Sequence, residues 1–213
     1  LDWSIILRVP DSPDAFLTQL KAIAADSENS GTFETVLIEP EALADELQEI
    51  LDSLEGDIRR ITISKELTAS AAMNLAARTA RGKKLLFFKD GLAPLPGWLD
   101  PIRKGFETHG KETIFGARIA DQRNRIVHAG VAADHNNAPV RLFAHVDAEF
   151  PAALKERRLQ MVDGFLAADR NFFCRIGGFT KKSGNKAFLD LCLKAADHSA
   201  TEYSTVYLPD VRM

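Results

Sequence analysis

The chain is 213 residues long, 46% hydrophobic and 27% charged, which excludes collagen-like, disordered and coiled-coil classes and leaves ample length for a buried core. Lys and Arg total 27 against 30 Asp and Glu, and the resulting net charge of -3 argues against a phosphate-backbone surface and so against nucleic acid as a partner. Apolar runs such as residues 85–88 stop far short of the roughly 20 residues of a membrane helix, so no span is expected.

Residues 4–9 (SIILRV) make a short apolar run stopped by Pro10, and Phe16, Leu17, Leu20, Ile23 and Ala24 then recur at helical spacing over 13–25. The unit repeats. Residues 35–38 (TVLI) read as a second strand and 41–54, with Leu43, Leu47, Ile50, Leu51 and Leu54 in one stripe, as a second helix. A strand over 58–63, an Ala-rich helix over 69–81 closed by Gly82, and a fourth strand over 84–88 follow. Strands that recur after helices imply parallel crossovers, with a ligand crevice beyond the carboxyl ends of the strands. The loops after Val9, Ile38 and Phe88 therefore carry the first candidates.

The second half changes character. A helix over 98–109 and a strand over 112–119 precede a polar turn at 121–125 and strand-like runs at 126–132 and 141–146, which suggest hairpins. Residues 160–168 read as a run buried on both faces, 171–176 as a short helix ended by Gly177 and Gly178, 186–196 as a longer helix, and 203–208 as the last strand. The expected fold class is α/β, with one mixed central sheet that is mostly parallel in its N-terminal half and flanked by helices. No linker or repeat divides it, so residues 1–213 are expected to form a single domain. Leu1 in place of Met suggests a piece of a longer protein with further domains. Cys174 and Cys192 are too few for a disulfide scaffold and suit a reducing, cytoplasmic setting.

Several stretches then share one resemblance: FETVLIE at 33–39, AAMNLAARTARGKKLLFF at 71–88, LAPLPGWL at 92–99, RIVHAGV at 125–131, DGFLAADRNFFCRIGGF at 163–179 and DLCLK at 190–194. In order and spacing they resemble family 2 glycosyltransferases, whose Rossmann-like GT-A fold joins a nucleotide-binding half, here about 1–110, to an acceptor-binding half, here about 111–213. The resemblance implies transfer of a sugar from a nucleotide-diphosphate donor of UDP or dTDP type to a sugar, polysaccharide or protein acceptor. A G-x-G-x-x-G fingerprint does not follow the first strand, where the loop begins Pro10-Asp11-Ser12-Pro13, so a dinucleotide oxidoreductase is set aside.

By the resemblance, Pro10, Asp11, Glu39 and Asn74 line the nucleotide pocket. Glu39 at a strand end is either a nucleoside ligand or a cap for the next helix, and Asn74 either a ligand or a polar contact between helices. The family's Asp-X-Asp metal motif falls on Lys89, Asp90 and Gly91, which leaves one carboxylate. One carboxylate is a poor Mg or Mn site, so no cofactor is expected unless Asp90 finds a second acid. The family's acidic pair before DLCL falls on Ala187 and Phe188, which leaves Asp190, and Asp163 beside Gly164, as the remaining catalytic candidates. Asp163 alternatively serves a turn. His128 and His135 lack partners at metal-ligand spacing and read as packed or surface imidazoles. Gly164, Lys181 and Lys182 lie on the acceptor side, the two lysines in a basic loop. Two functions follow: metal-independent transfer with Lys89 supplying positive charge, or a degenerate domain that binds, scaffolds or regulates without turnover.

Overall fold

The computed structural model describes residues 1–26, 31–181, 183–199 and 203–213. Its N-terminal half alternates as β1 (Trp3–Arg8), α1 (Pro13–Ala24), β2 (Phe33–Pro40), α2 (Asp45–Ser53), β3 (Ile58–Ile63), α3 (Ala69–Thr79) and β4 (Lys84–Phe88). Ser12 starts α1 by accepting the Ala15 N–H, and Pro13 follows where its missing donor costs nothing. Thr68 caps α3 in the same way. β1 pairs in parallel with β2 and β4, and β2 with β3, so the strand ends after Arg8, Pro40 and Phe88 open on one side.

The chain continues through α4 (Leu99–His109), β5 (Ile114–Ala120), β6 (Ile126–His128), β7 (Val131–Ala133), β8 (Pro139–Arg141) and β9 (Arg157–Leu159). It closes with β10 (Phe165–Asp169), α5 (Arg170–Arg175), α6 (Ala187–Asp197) and β11 (Thr205–Arg212). Among the described residues one sheet runs β3-β2-β1-β4-β10-β5-β11-β9, with β6 beside β5, while β7 and β8 form a separate hairpin. β10 runs against both β4 and β5, with Phe165 opposite Phe88. The start of β10 therefore meets the end of β4, and that single inversion brings residues from the two halves into one crevice.

Alternation along β1 and β4 divides the core into two layers. Ile6, Leu85 and Phe87 face α3, α5 and α6, where Ala72, Ala76, Phe172 and Leu191 are buried. Trp3, Ile5, Leu7, Leu86 and Phe88 face α1, α2 and α4 through Phe16, Leu47, Leu51 and Ile102. At about 25 cal/mol per Å² of apolar surface removed from water, these two layers supply most of the drive to fold. Gly82 does not cap α3, because that helix already ends at Thr79 with Ala80 extended. Its lack of a side chain serves a close approach: a Cβ there would lie 2.4 Å from the Trp3 carbonyl carbon.

Other differences from the sequence reading lie in the second half. Residues 126–132 form two strands instead of one, since Gly130 turns between them at φ +104° and a Cβ there would lie 2.0 Å from Leu159 Cδ1. The expected strand over 141–146 ends at Arg141, and Phe143 and His145 adopt left-handed φ of 54° and 67° in the turns beyond. Only 165–168 of the run over 160–168 is strand, which continues to Asp169, and Asp163 lies in the loop before it. β11 continues to Arg212, past a bulge after Leu208. No described helix is long and apolar enough to cross a membrane. Both cysteines are free, and burial pushes the Cys192 thiol up to about 11.

Candidate functional site

The crevice lies where β1, β4 and the start of β10 converge, at the point where strands diverge to either side of β1. Two neighbouring cavities share its floor. One, of about 330 Å³, is bounded by Arg8, Phe88, Met73 and the start of α6 at Ala187 and Phe188. The other, of about 230 Å³, is bounded by Asp163, Gly164, His128, Arg141 and Ile119. Lys89 and Asp90 line both and so form the divide. Two larger cavities, of about 580 and 590 Å³, lie between α6 and the β7–β8 hairpin and at the amino ends of β2 and β3. Size alone would favour those, but the central crevice gathers Arg8, Lys89, Asp90 and Asp163 where parallel β1 and β4 end.

Backbone bonds fix the divide. The Lys89 N–H donates to Gly164 O at 2.9 Å, which ties β4 to the turn before β10. Buried Gln19 reaches across from α1 and donates to Leu92 O at 2.7 Å, which holds the loop carrying Asp90 and Gly91. Gly91 sits at φ +72°. Gly164 is required twice over: its φ is +81°, and a Cβ would lie 2.3 Å from Ile119 Cδ1.

On this frame the Lys89 ammonium lies 2.5 Å from Asp163 Oδ1. Asp163 Oδ1 makes no aligned hydrogen bond, so the contact is an ion pair held by charge and not by direction. The same ammonium stands 5.8 Å from the Phe188 ring centroid, within cation–π range on the opposite side. Asp90 faces Arg8 Nη2 at 3.6 Å. The Asp163 N–H donates to His128 Nε2 at 2.7 Å, which places the proton of the neutral ring on Nδ1. That Nδ1 is buried with no hydrogen-bond partner among the described residues. Burial pushes the His128 imidazole down to about 4; the Asp163 carboxylate opposes the shift, and Arg141 and Lys89 reinforce it.

The other candidates are held differently. Both oxygens of the buried Glu39 carboxylate are engaged, by Arg60 Nε at 2.8 Å and by the Thr62 hydroxyl at 2.9 Å. Ala44 is the N-cap of α2 and no side chain caps the helix there, so Glu39 does not cap it. Asn74 donates to Phe179 O at 2.8 Å and accepts the Phe179 N–H at 2.9 Å, which binds α3 to the turn after α5. Asp190 accepts from the Ser183 hydroxyl at 3.2 Å and lines the 580 Å³ cavity, away from Lys89. Pro10 and Asp11 form the loop after β1, where Asp11 is exposed. Lys181 is exposed, and its carbonyl accepts the Thr68 hydroxyl at 3.1 Å; Lys182 lies outside the described residues.

Arg8 and Arg141 were not singled out in the sequence. Arg8 carried a signal, as the one charged residue near the end of the apolar run over 4–9 that points at the crevice, whereas Arg141 was the first residue of an expected strand.

The mixed α/β sheet, parallel in its first half and flanked by helices, is that of a GT-A glycosyltransferase domain. The family model for glycosyl transferase family 2 matches residues 12–151, and the chain belongs to that family. Among solved structures, GalNAc-T7 with UDP, GalNAc and Mn²⁺ is similar at a TM-score of 0.74 and 14% identity, over 100% of this chain and 43% of that one. Residues 1–349 of S. aureus TarS align at a TM-score of 0.70 and 13% identity, over 100% of this chain and 59% of that one. The same TarS piece in complex with UDP-GlcNAc aligns at 0.67 and 12%, over 100% and 57%. The chain thus spans about half the length of the solved chains it matches. No curated protein sequence matches it.

By the resemblance drawn from the sequence a divalent ion is expected at 89–91, and the residues present do not fit one. An ammonium stands in the place of the first acid, Asp90 already faces Arg8, and Asp163 already faces Lys89. Among the described residues no three of His, Cys, Asp and Glu gather into a cluster that would hold a metal.

Proposed function

We propose that the chain binds a nucleoside-diphosphate sugar of UDP or dTDP type in the 330 Å³ cavity, with side-chain cations in the role of the divalent ion. The observation that carries this reading is the Lys89 ammonium, set on the divide between the two cavities with Arg8 beside it. A departing diphosphate needs positive charge placed in advance. One ammonium contributes a single unit where a divalent ion contributes two, and Arg8 supplies the second. Asp90 and Asp163 balance the two cations until a ligand replaces them. The UDP and UDP-GlcNAc complexes of the similar structures support the same ligand class. The acceptor in this reading is a hydroxyl of a sugar, polysaccharide or protein.

Calorimetric titration of UDP and UDP-GlcNAc, in Mn²⁺ and in chelator, tests it. Equal affinity in both media is expected, with a loss of at least about tenfold in Lys89→Ala, as for removal of a charged hydrogen-bonding partner. A strict need for Mn²⁺, or no affinity for any nucleotide sugar, refutes it.

A second reading, binding without turnover in a larger protein, is favoured by one observation. Ala187 and Phe188, both buried, wall the cavity where the family resemblance expects an acidic pair. Transfer of radiolabelled sugar by the chain would remove that reading.

A further inference from the structure

The Lys89–Asp163 pair joins two residues 74 positions apart, and the two ends of it are held unequally. Asp163 is anchored: its N–H is bound to His128, and Gly164 after it is bound through its carbonyl to the Lys89 N–H. The Asp163 side chain is only 14% exposed. Lys89 is likewise held through its backbone, but its side chain is 43% exposed on a flexible four-carbon stem. It borders both cavities, and the Phe188 ring waits 5.8 Å from the ammonium on the side of the 330 Å³ cavity. The longer and more exposed lysine side chain is therefore the end that moves when the pair opens.

From this asymmetry, and resting on the nucleotide-sugar reading above, we infer that a bound diphosphate draws Lys89 off Asp163 and that the freed Asp163 carboxylate accepts the proton of a hydroxyl held in the 230 Å³ cavity. The lysine acts as a latch on the base. In the step itself, the hydroxyl oxygen forms a bond to the anomeric carbon and its proton passes to the Asp163 carboxylate. The bond from that carbon to the diphosphate oxygen breaks, and its electron pair leaves on the nucleoside diphosphate, now the partner of Lys89. No further reactant is needed.

The surroundings suit a base that is uncovered on demand. His128 cannot take over as counter-ion, because its Nε2 already accepts the Asp163 N–H and the buried ring stays neutral. Arg141 is the remaining cation that lines the same cavity, and Asp90 is balanced by Arg8. A hydroxyl that enters the cavity would thus meet an acceptor only once the neighbouring cavity is filled.

Titration of UDP into the wild-type chain, Asp163→Asn, Lys89→Met and the double variant reads the exchange. A half-exposed ion pair is worth up to about 1 kcal/mol, so freeing the ammonium in Asp163→Asn is expected to tighten UDP binding by about fivefold. The gain is expected to vanish when Lys89 is already Met, since the two changes act on one contact. Hydrolysis of UDP-GlcNAc, with water as the hydroxyl, is expected to fall at least about a hundredfold in Asp163→Asn, the lower range for loss of a general base. Asp163→Ser replaces Asp163→Asn if thermal unfolding shows the latter to be misfolded, with the same outcomes expected. Equal or weaker UDP affinity in the Asp163 variant, a gain that persists in the Lys89→Met background, or unaltered or undetectable wild-type hydrolysis overturns the inference. A wild-type chain that binds no UDP overturns the nucleotide-sugar reading beneath it.

Discussion

Acidification should destabilise this domain through His128. The ring is 3% exposed and burial holds its ionisation near 4, against 6.5 for a free imidazole. Between those values the unfolded chain takes up a proton that the native chain refuses, so stability is complete above the free value and falls as pH drops toward the native one. A gap of two to three units corresponds to about 3 kcal/mol in full, of which about 2 kcal/mol is already lost at about pH 5. Glu34 shifts the other way: burial raises its ionisation, but hydrogen bonds from Ser4 and Arg81 outweigh this and lower it. Its contribution is therefore lost as pH falls from its ordinary value of 4.5 through the lower native one, largely below this window. The assay is urea unfolding at about pH 7.5 and about pH 5 for wild type and His128→Gln, whose amide oxygen can still accept the Asp163 N–H. The wild type should lose about 2 kcal/mol more than the variant over that interval. Equal losses in the two proteins would show that the imidazole titrates normally and that its burial has been misread.

Three further outcomes follow from the same geometry. Gly164→Ala places a methyl against Ile119 at a left-handed φ and should cost about 2–4 kcal/mol in denaturant unfolding, with weaker nucleotide binding because the β4–β10 junction shifts. Asn74→Ala removes both bonds to Phe179 and should cost about 2 kcal/mol, read as a lower melting temperature and faster hydrogen exchange at the Phe179 amide. Glu34→Gln breaks a fully buried carboxylate network with Ser4 and Arg81 and should cost about 3 kcal/mol, while flattening the loss of stability below about pH 4.

The first half of the fold was legible because its signals are local. Leu47 and Leu51 share a helix face, Phe16 and Ile23 another, and the strand runs end at Pro10 and Pro40, so each element announces itself within a few residues. β8 and β9, three residues each, have no room to show a period, and their pairing is decided by partners far along the chain. Phe143 and His145 turn the backbone without the glycine that usually marks a left-handed position. The candidate site divides in the same way. Lys89 was placed at the crevice by its position after an apolar strand, but its contact with Asp163 depends on β10 running against β4, which no local pattern encodes. His128 showed no partner at ligand spacing because its partner is a backbone N–H.

The inverted strand has a bearing on how this crevice can be remodelled. Parallel strands present their trailing loops to a ligand, and each such loop must also launch the next helix, so lengthening one disturbs the helix it feeds. β10 presents its leading loop instead, and residues 160–164 launch nothing but the strand itself. Changes there that spare Asp163 and Gly164 can reshape the wall beside them while Phe165 opposite Phe88 keeps the register. Under the proposed transfer, new acceptor preferences would be sought by grafting in that short segment.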